Sequence, residues 1–192
     1  MLKWLLRRQL AGFERTWNYD VRYVREIIDA DPRAIMILSR LHGLAKYRNG
    51  LPLAAYWTAG IVAVMAADCG PCTQLCIDMA QREGVDPAIL RAVVARDYAA
   101  MPEDIVLAVR FTEATLRHAP GADELREEVL RRFGQRGLIS LAFSMLSARV
   151  SPTLKYALGH GRACTQLVIG GEAQPMRSLT EANTLKANPV AA

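Results

Sequence analysis

From Leu51 to Ala67 the sequence is apolar almost without interruption, and it ends against a cluster of cysteines. The run contains Gly60-Ile61-Val62-Ala63-Val64-Met65 and opens at Pro52, a residue suited to the first turn of a helix. It is marginally short for a membrane span and is closed off on both sides, so it predicts a core helix rather than a transmembrane one. A helix that is apolar all round has to be enclosed by other elements. The fold is therefore decided by what the remaining chain can wrap around it.

What the remaining chain offers is helices. Leu2 to Trp17 reads as amphipathic, with Leu2, Leu5, Leu6, Leu10 and Phe13 on one face. Asn18 or Asp20 caps a helix over Val21 to Ala30, and Asp31-Pro32 opens another that runs to Tyr47 with Ile35, Leu38 and Leu41 inward. His42 falls on this helix and reads as a structural residue. Asp86-Pro87 starts a helix through Val94, and Pro102 opens one to His118 carrying Ile105, Val106, Val109, Phe111 and Leu116. Asp123 caps a charged helix to Phe133, followed by a long one from Leu138 to Leu158, disturbed near Pro152. No sustained alternation of apolar and polar residues occurs, so the expected class is all-α. The stretch from Gly170 lacks an apolar stripe and reads as an extended or disordered tail.

The cysteines carry the chemistry. Three of the four lie within Asp68-Cys69-Gly70-Pro71-Cys72-Thr73-Gln74-Leu75-Cys76, as C-x-x-C followed by a third thiol one turn later. With Asp68 as N-cap and Pro71 in the first turn, Cys69 and Cys72 stand at the positive end of a helix, where a thiolate is favoured over a thiol. Cys76 joins them on the same face. The arrangement suits dithiol–disulfide exchange. Two other readings stay open: plain core packing, the usual fate of a lone cysteine such as Cys164, and a metal site of Cys69, Cys72 and Cys76 completed by His160 or Cys164. A second C-x-x-C, the usual partner in a structural zinc site, is missing, so neither a metal nor another cofactor is expected.

Composition narrows the partners. Of 192 residues 52% are hydrophobic and 22% charged, enough for a sizeable core. The net charge of +5 is scattered, with Arg7-Arg8 and Arg131-Arg132 as the only adjacent arginines, so no nucleic-acid partner is expected. The start, Met1-Leu2-Lys3-Trp4-Leu5-Leu6-Arg7-Arg8, interrupts its apolar residues with charge and lacks a small-residue cleavage site. A cytoplasmic location without membrane attachment is the expectation.

A wider pattern now emerges. An apolar helix precedes Cys69-Gly-Pro-Cys72. Ala80-Gln81-Arg82-Glu83-Gly84-Val85 follows, then a short helix at Asp86-Pro87, then Arg131-Arg132-Phe133-Gly134-Gln135-Arg136-Gly137-Leu138 and Ser151-Pro152-Thr153-Leu154-Lys155-Tyr156. From roughly Leu51 to Cys164 this resembles the carboxymuconolactone decarboxylase / AhpD-like superfamily of alkylhydroperoxidase-type proteins. The resemblance implies an AhpD-like helical bundle and a homo-oligomer. It also implies that Cys72 attacks a peroxide while Cys69 resolves the sulfenic acid as a disulfide. Lactone decarboxylation is disfavoured, because the branch that performs it does not use a C-x-x-C pair.

Two departures from the family pattern stand out. Its histidine one turn after the second cysteine is replaced by Cys76, and its glutamate about three turns before the first falls near Trp57. The expectation is thus a thiol-dependent oxidoreductase acting on a small-molecule peroxide or a redox protein partner through Cys72, Cys69 and Cys76. A non-catalytic scaffold with a degenerate site and a cysteine metal-binding protein are the alternatives. The expected layout is N-terminal helices over 1–50, the AhpD-like domain over 51–169 and the tail over 170–192.

Overall fold

A computed structural model describes residues 1–162 and 166–176 of the chain. The described helices are α1 (Leu2–Trp17), α2 (Arg22–Ala30), α3 (Pro32–His42), α4 (Leu53–Ala66), α5 (Gly70–Arg82), α6 (Pro87–Ala95), α7 (Glu103–Arg117) and α8 (Ala122–Ala157). Among the described residues the fold is all-α apart from one hairpin of β1 (Gln166–Ile169) and β2 (Glu172–Pro175). The apolar run forms α4, in which every residue from Ala55 to Met65 is buried. Helices α5, α6, α7 and α8 surround it. Close approach to α8 depends on Gly60, where an added Cβ would sit 3.0 Å from Ser144 Oγ. That hydroxyl in turn donates to the Tyr56 carbonyl at 2.8 Å and ties the two helices together.

Local signals explain most boundaries. Asp31 and Asp86 cap α3 and α6 by accepting from Arg33 N and Ala88 N, each at 2.8 Å, with proline just inside each helix. Asp20 accepts from Arg22 N at 3.0 Å at the start of α2, while Asn18 closes α1 in the left-handed region. Helix α3 is shorter than its pattern suggests, because the chain tightens into a 3-10 turn over Gly43–Lys46. Gly121, not Asp123, occupies the N-cap of α8. The break in α8 falls at Gly134 (φ 66°, ψ −178°), a conformation open to glycine, whereas Pro152 is accommodated within the last turns. By length and composition alone this is the described helix that could cross a membrane, but it is kinked there and packs against α4 and α7.

Two expectations need correction. The hairpin was not anticipated, because four-residue strands are too short to show alternation. Its turn is Gly170-Gly171, both at positive φ, and Leu167 and Ile169 are fully buried against α5 and α6. Gln74 of α5 extends the ladder sideways, donating to the Val168 carbonyl at 2.8 Å and accepting from its N–H at 2.7 Å. The hairpin therefore runs across the expected boundary between 51–169 and 170–192, and residues 170–175 are not a disordered tail; residues 177–192 lie outside those described.

The second correction concerns α1 and α3. Leu2, Leu5 and Leu41 are exposed, and α1 buries no residue fully. Leu6, Leu10, Phe13 and Ile35 instead line a cavity between these helices and the α4–α5–α8 core.

Candidate active site

The site is built at the turn from α4 into α5. Asp68 takes the left-handed conformation (φ 50°) and is exposed, so the N-cap is Cys69 and not Asp68. The Asp68 carbonyl is held by the Tyr156 hydroxyl at 2.7 Å, and Gly70 N donates to the Arg162 carbonyl at 3.3 Å. Pro71 occupies the first turn as expected. Cys69 and Cys72 are joined as a disulfide with Cα atoms 5.3 Å apart, a span normal for such a bond. The Cys69 carbonyl receives both Thr73 N (2.9 Å) and Thr73 Oγ1 (3.0 Å), fixing the first turn beneath the sulfurs.

The two bridged cysteines differ in what they face. Both are buried, but Cys72 lines the cavity and Cys69 does not. The cavity measures about 700 Å³, and its wall is mostly apolar, including Leu10, Phe13, Val24, Ile28, Leu75 and Met79. Cys76 is a free thiol on the same wall, and burial pushes its pKa up to about 12. All three sequence-predicted residues therefore meet here, with one face of the disulfide and the third thiol turned to a common space. Cys164 lies outside the described residues.

Sequence reasoning missed the residues that surround Cys72. Tyr19, from the connection between α1 and α2, places its hydroxyl 3.4 Å from Cys72 Sγ; a disulfide sulfur has no proton, so the hydroxyl donates. Lys155 of α8 is buried, with Nζ 4.0 Å from the Tyr19 ring centre and 5.3 Å from that of Tyr23. Burial drives the Lys155 pKa down, against the pull of the Asp20 carboxylate. Burial also drives the Tyr19 phenol well above its ordinary range, reinforced by Tyr23, Cys76 and Asp20. Asp20 is held well below the usual carboxylate range by its bonds from Arg22. Tyr19 and Cys72 are 53 residues apart and Lys155 is farther still from Tyr19, so only long-range contact brings these groups together, and no local motif encodes that.

The histidines are occupied elsewhere. His42 lines the cavity, but Nδ1–H donates to the Leu38 carbonyl at 3.1 Å, and Nε2 is hydrogen-bonded to Ser151 Oγ at 3.3 Å. His160 is bonded to Glu26 at 2.8 Å, and His118 closes α7 in the left-handed region. Near Trp57 the structure does supply a carboxylate: the indole N–H donates to Glu83 Oε2 at 2.9 Å, and Arg48 pairs with the same oxygen. Glu83 follows Cys72 by three turns, about 16 Å along α5, too far to exchange a proton with it. Among the described residues no group of three or more His, Cys, Asp or Glu side chains is gathered to hold a metal ion.

No family model, curated protein or solved structure matches this chain. The chemistry of the site rests on its own geometry: an all-α scaffold that presents a C-x-x-C disulfide, compatible with redox chemistry, at the end of an apolar cavity.

Proposed function

We propose that this chain is a thiol-dependent oxidoreductase of AhpD-like type that reduces an organic hydroperoxide. The observation that carries the reading is the asymmetry of the pair: Cys72 opens onto a cavity of about 700 Å³ while Cys69 sits behind it. An apolar chamber of that size fits a substrate with a hydrocarbon body. In the reduced protein the Cys72 thiolate attacks the peroxide, giving Cys72–SOH and an alkoxide that takes a proton from solvent. The Cys69 thiol then displaces water from the sulfenic acid and forms the disulfide. An external dithiol returns two electrons and two protons to restart the cycle.

The position of Cys72 in the first turn of α5 supports this, since amides there lack partners inside the helix and favour a thiolate. A homo-oligomer belongs to the same proposal, supported by exposed Leu2, Trp4 and Leu5 on α1 and Met36, Ile37 and Leu41 on α3.

The test is a stopped-flow titration of fully reduced protein with cumene hydroperoxide, with peptide mapping of the product. Rapid loss of two thiols into a Cys69–Cys72 bond, abolished by Cys72→Ser, is expected. Thiols unchanged after many minutes would leave the second reading, a non-catalytic scaffold. That reading has one observation in its favour: no described histidine is hydrogen-bonded to a cysteine.

A further inference from the structure

We infer that Tyr19 is a catalytic residue of this site, the hydrogen-bond donor that holds Cys72 as the reactive thiolate and receives it again as leaving group when the disulfide is reduced. The inference rests on the redox reading above but is tested separately from it. Its first support is geometric. Tyr19 Oη lies 3.4 Å from Cys72 Sγ in a buried setting, within range for a hydrogen bond to sulfur. Its ring is fixed on two sides, by the edge-on contact with Phe13 (centroids 6.1 Å apart, 88° between planes) and by Lys155 Nζ over its face at 4.0 Å. A donor held this firmly costs little to reorganise when charge develops on sulfur.

The second support is a contrast between the two cavity cysteines. Cys72 and Cys76 are one turn apart on α5 and share the same apolar wall. Burial leaves the Cys76 thiol at about 12, useless as a nucleophile near neutral pH. Cys72 is more buried than Cys76, yet it has what the other lacks: a phenol hydroxyl aimed at its sulfur and a place in the first turn of the helix. Because burial keeps the phenol protonated through the working pH range, Tyr19 acts as a donor and never as a base. It acts by hydrogen bonding alone, at a site where no described histidine is bonded to a cysteine to transfer a proton.

The reacting step balances simply. An external dithiol thiolate attacks Cys72 Sγ, the sulfur that opens onto the cavity, the Cys69–Cys72 bond breaks, and Cys69 leaves and takes up a proton. The second thiolate of the donor then attacks the donor's own sulfur in the mixed disulfide, closing the donor disulfide and releasing Cys72 as a thiolate that accepts the Tyr19 O–H. In the forward direction the same thiolate meets the peroxide.

The experiment reads the Cys72 thiolate directly and needs no peroxide. Reduced protein carrying Cys69→Ser is alkylated with iodoacetamide across pH 5 to 9, and modification of the Cys72 peptide is followed by mass spectrometry. Tyr19→Phe keeps the ring and its contacts with Phe13 and Lys155 and removes only the hydroxyl. It is expected to raise the Cys72 midpoint by about one pH unit and slow alkylation at pH 7 about tenfold. The other groups that face this corner, Lys155, Tyr23, Asp20 with Arg22, Cys76 and Arg162, are the same in both proteins. Replacing Tyr19 by 3-fluorotyrosine strengthens the donor and is expected to move the midpoint down. A midpoint unmoved by both changes would overturn the inference, as would a shift in the same direction for both. If the midpoints move as expected while wild-type thiols ignore peroxide, Tyr19 keeps its role toward sulfur and only the peroxidase reading falls.

Discussion

The indole N–H of Trp57 on α4 donates to Glu83 Oε2 at the end of α5 (2.9 Å), and Arg48 reaches the same oxygen while stacking over the Trp57 ring at 4.9 Å. This three-way contact closes the end of the α4–α5 pair remote from the cysteines. It accounts for a carboxylate beside Trp57 without giving it any part in thiol chemistry. Glu83→Ala is therefore expected to cost about 1 kcal/mol of stability, from one charged hydrogen bond and a half-exposed ion pair. Urea denaturation should show that loss, while alkylation of Cys72 changes by less than about twofold. A large drop in Cys72 reactivity with intact stability would mean that Glu83 communicates with the site.

Contact between α4 and α8 depends on the absence of a side chain at Gly60. Alanine there gains about 1 kcal/mol of helix propensity but drives Cβ to 3.0 Å from Ser144 Oγ, which is anchored on the Tyr56 carbonyl. Gly60→Ala is expected to be destabilising by about 1–2 kcal/mol through overpacking. In a Ser144→Ala background the obstacle is gone, so the same change should become neutral or stabilising. Urea melts of the four proteins measure that reversal directly, and additive single effects would exclude the proposed clash.

How far the sequence leads depends on whether the deciding contact is local. Asp86-Pro87 announces α6 because the cap and the fixed φ act within one turn, and C-x-x-C announces the disulfide for the same reason. The hairpin escapes notice because its strands are four residues long and its ladder is completed by the side chain of Gln74. The exposure of Leu41 and Leu5 was illegible in another way: periodicity names an apolar face but not what covers it. Within the site, Cys69, Cys72 and Cys76 could be read off the spacing. Tyr19 and Lys155 could not, since neither sits in a motif and only folding carries them to the sulfur.

Cys76 offers a pH test of the cavity wall. With burial holding its pKa near 12, its thiolate at pH 8 is about a thousandfold scarcer than that of an ordinary cysteine, and its alkylation by iodoacetamide should be slower by a similar factor. The sign of the linkage follows. A pKa raised on folding means that the native state keeps a proton the unfolded chain releases, so reduced protein loses stability as pH rises above about 8.5. Cys76→Ser should flatten that alkaline loss, as thermal melts between pH 8 and 10 would show. Rapid labelling of Cys76 at pH 8 would contradict its burial.

Lys155 has the opposite linkage. Its amine is buried against the faces of Tyr19 and Tyr23, and desolvation drives its pKa below the ordinary value. The folded protein therefore gives up this proton before the unfolded chain does. Below the folded pKa the native state bears the full cost of the buried charge, and that cost fades as pH rises toward the unfolded value of about 10.4. Lys155→Met removes the titration while filling similar space. The stability of wild type relative to Lys155→Met should accordingly rise between pH 7 and pH 10, and taking this difference cancels the alkaline loss due to Cys76, which both proteins share. Because Lys155 also fixes the Tyr19 ring, the same substitution is expected to raise the Cys72 alkylation midpoint, by less than Tyr19→Phe does. A stability difference that is flat across this pH range would place the amine in solvent, off the tyrosine faces.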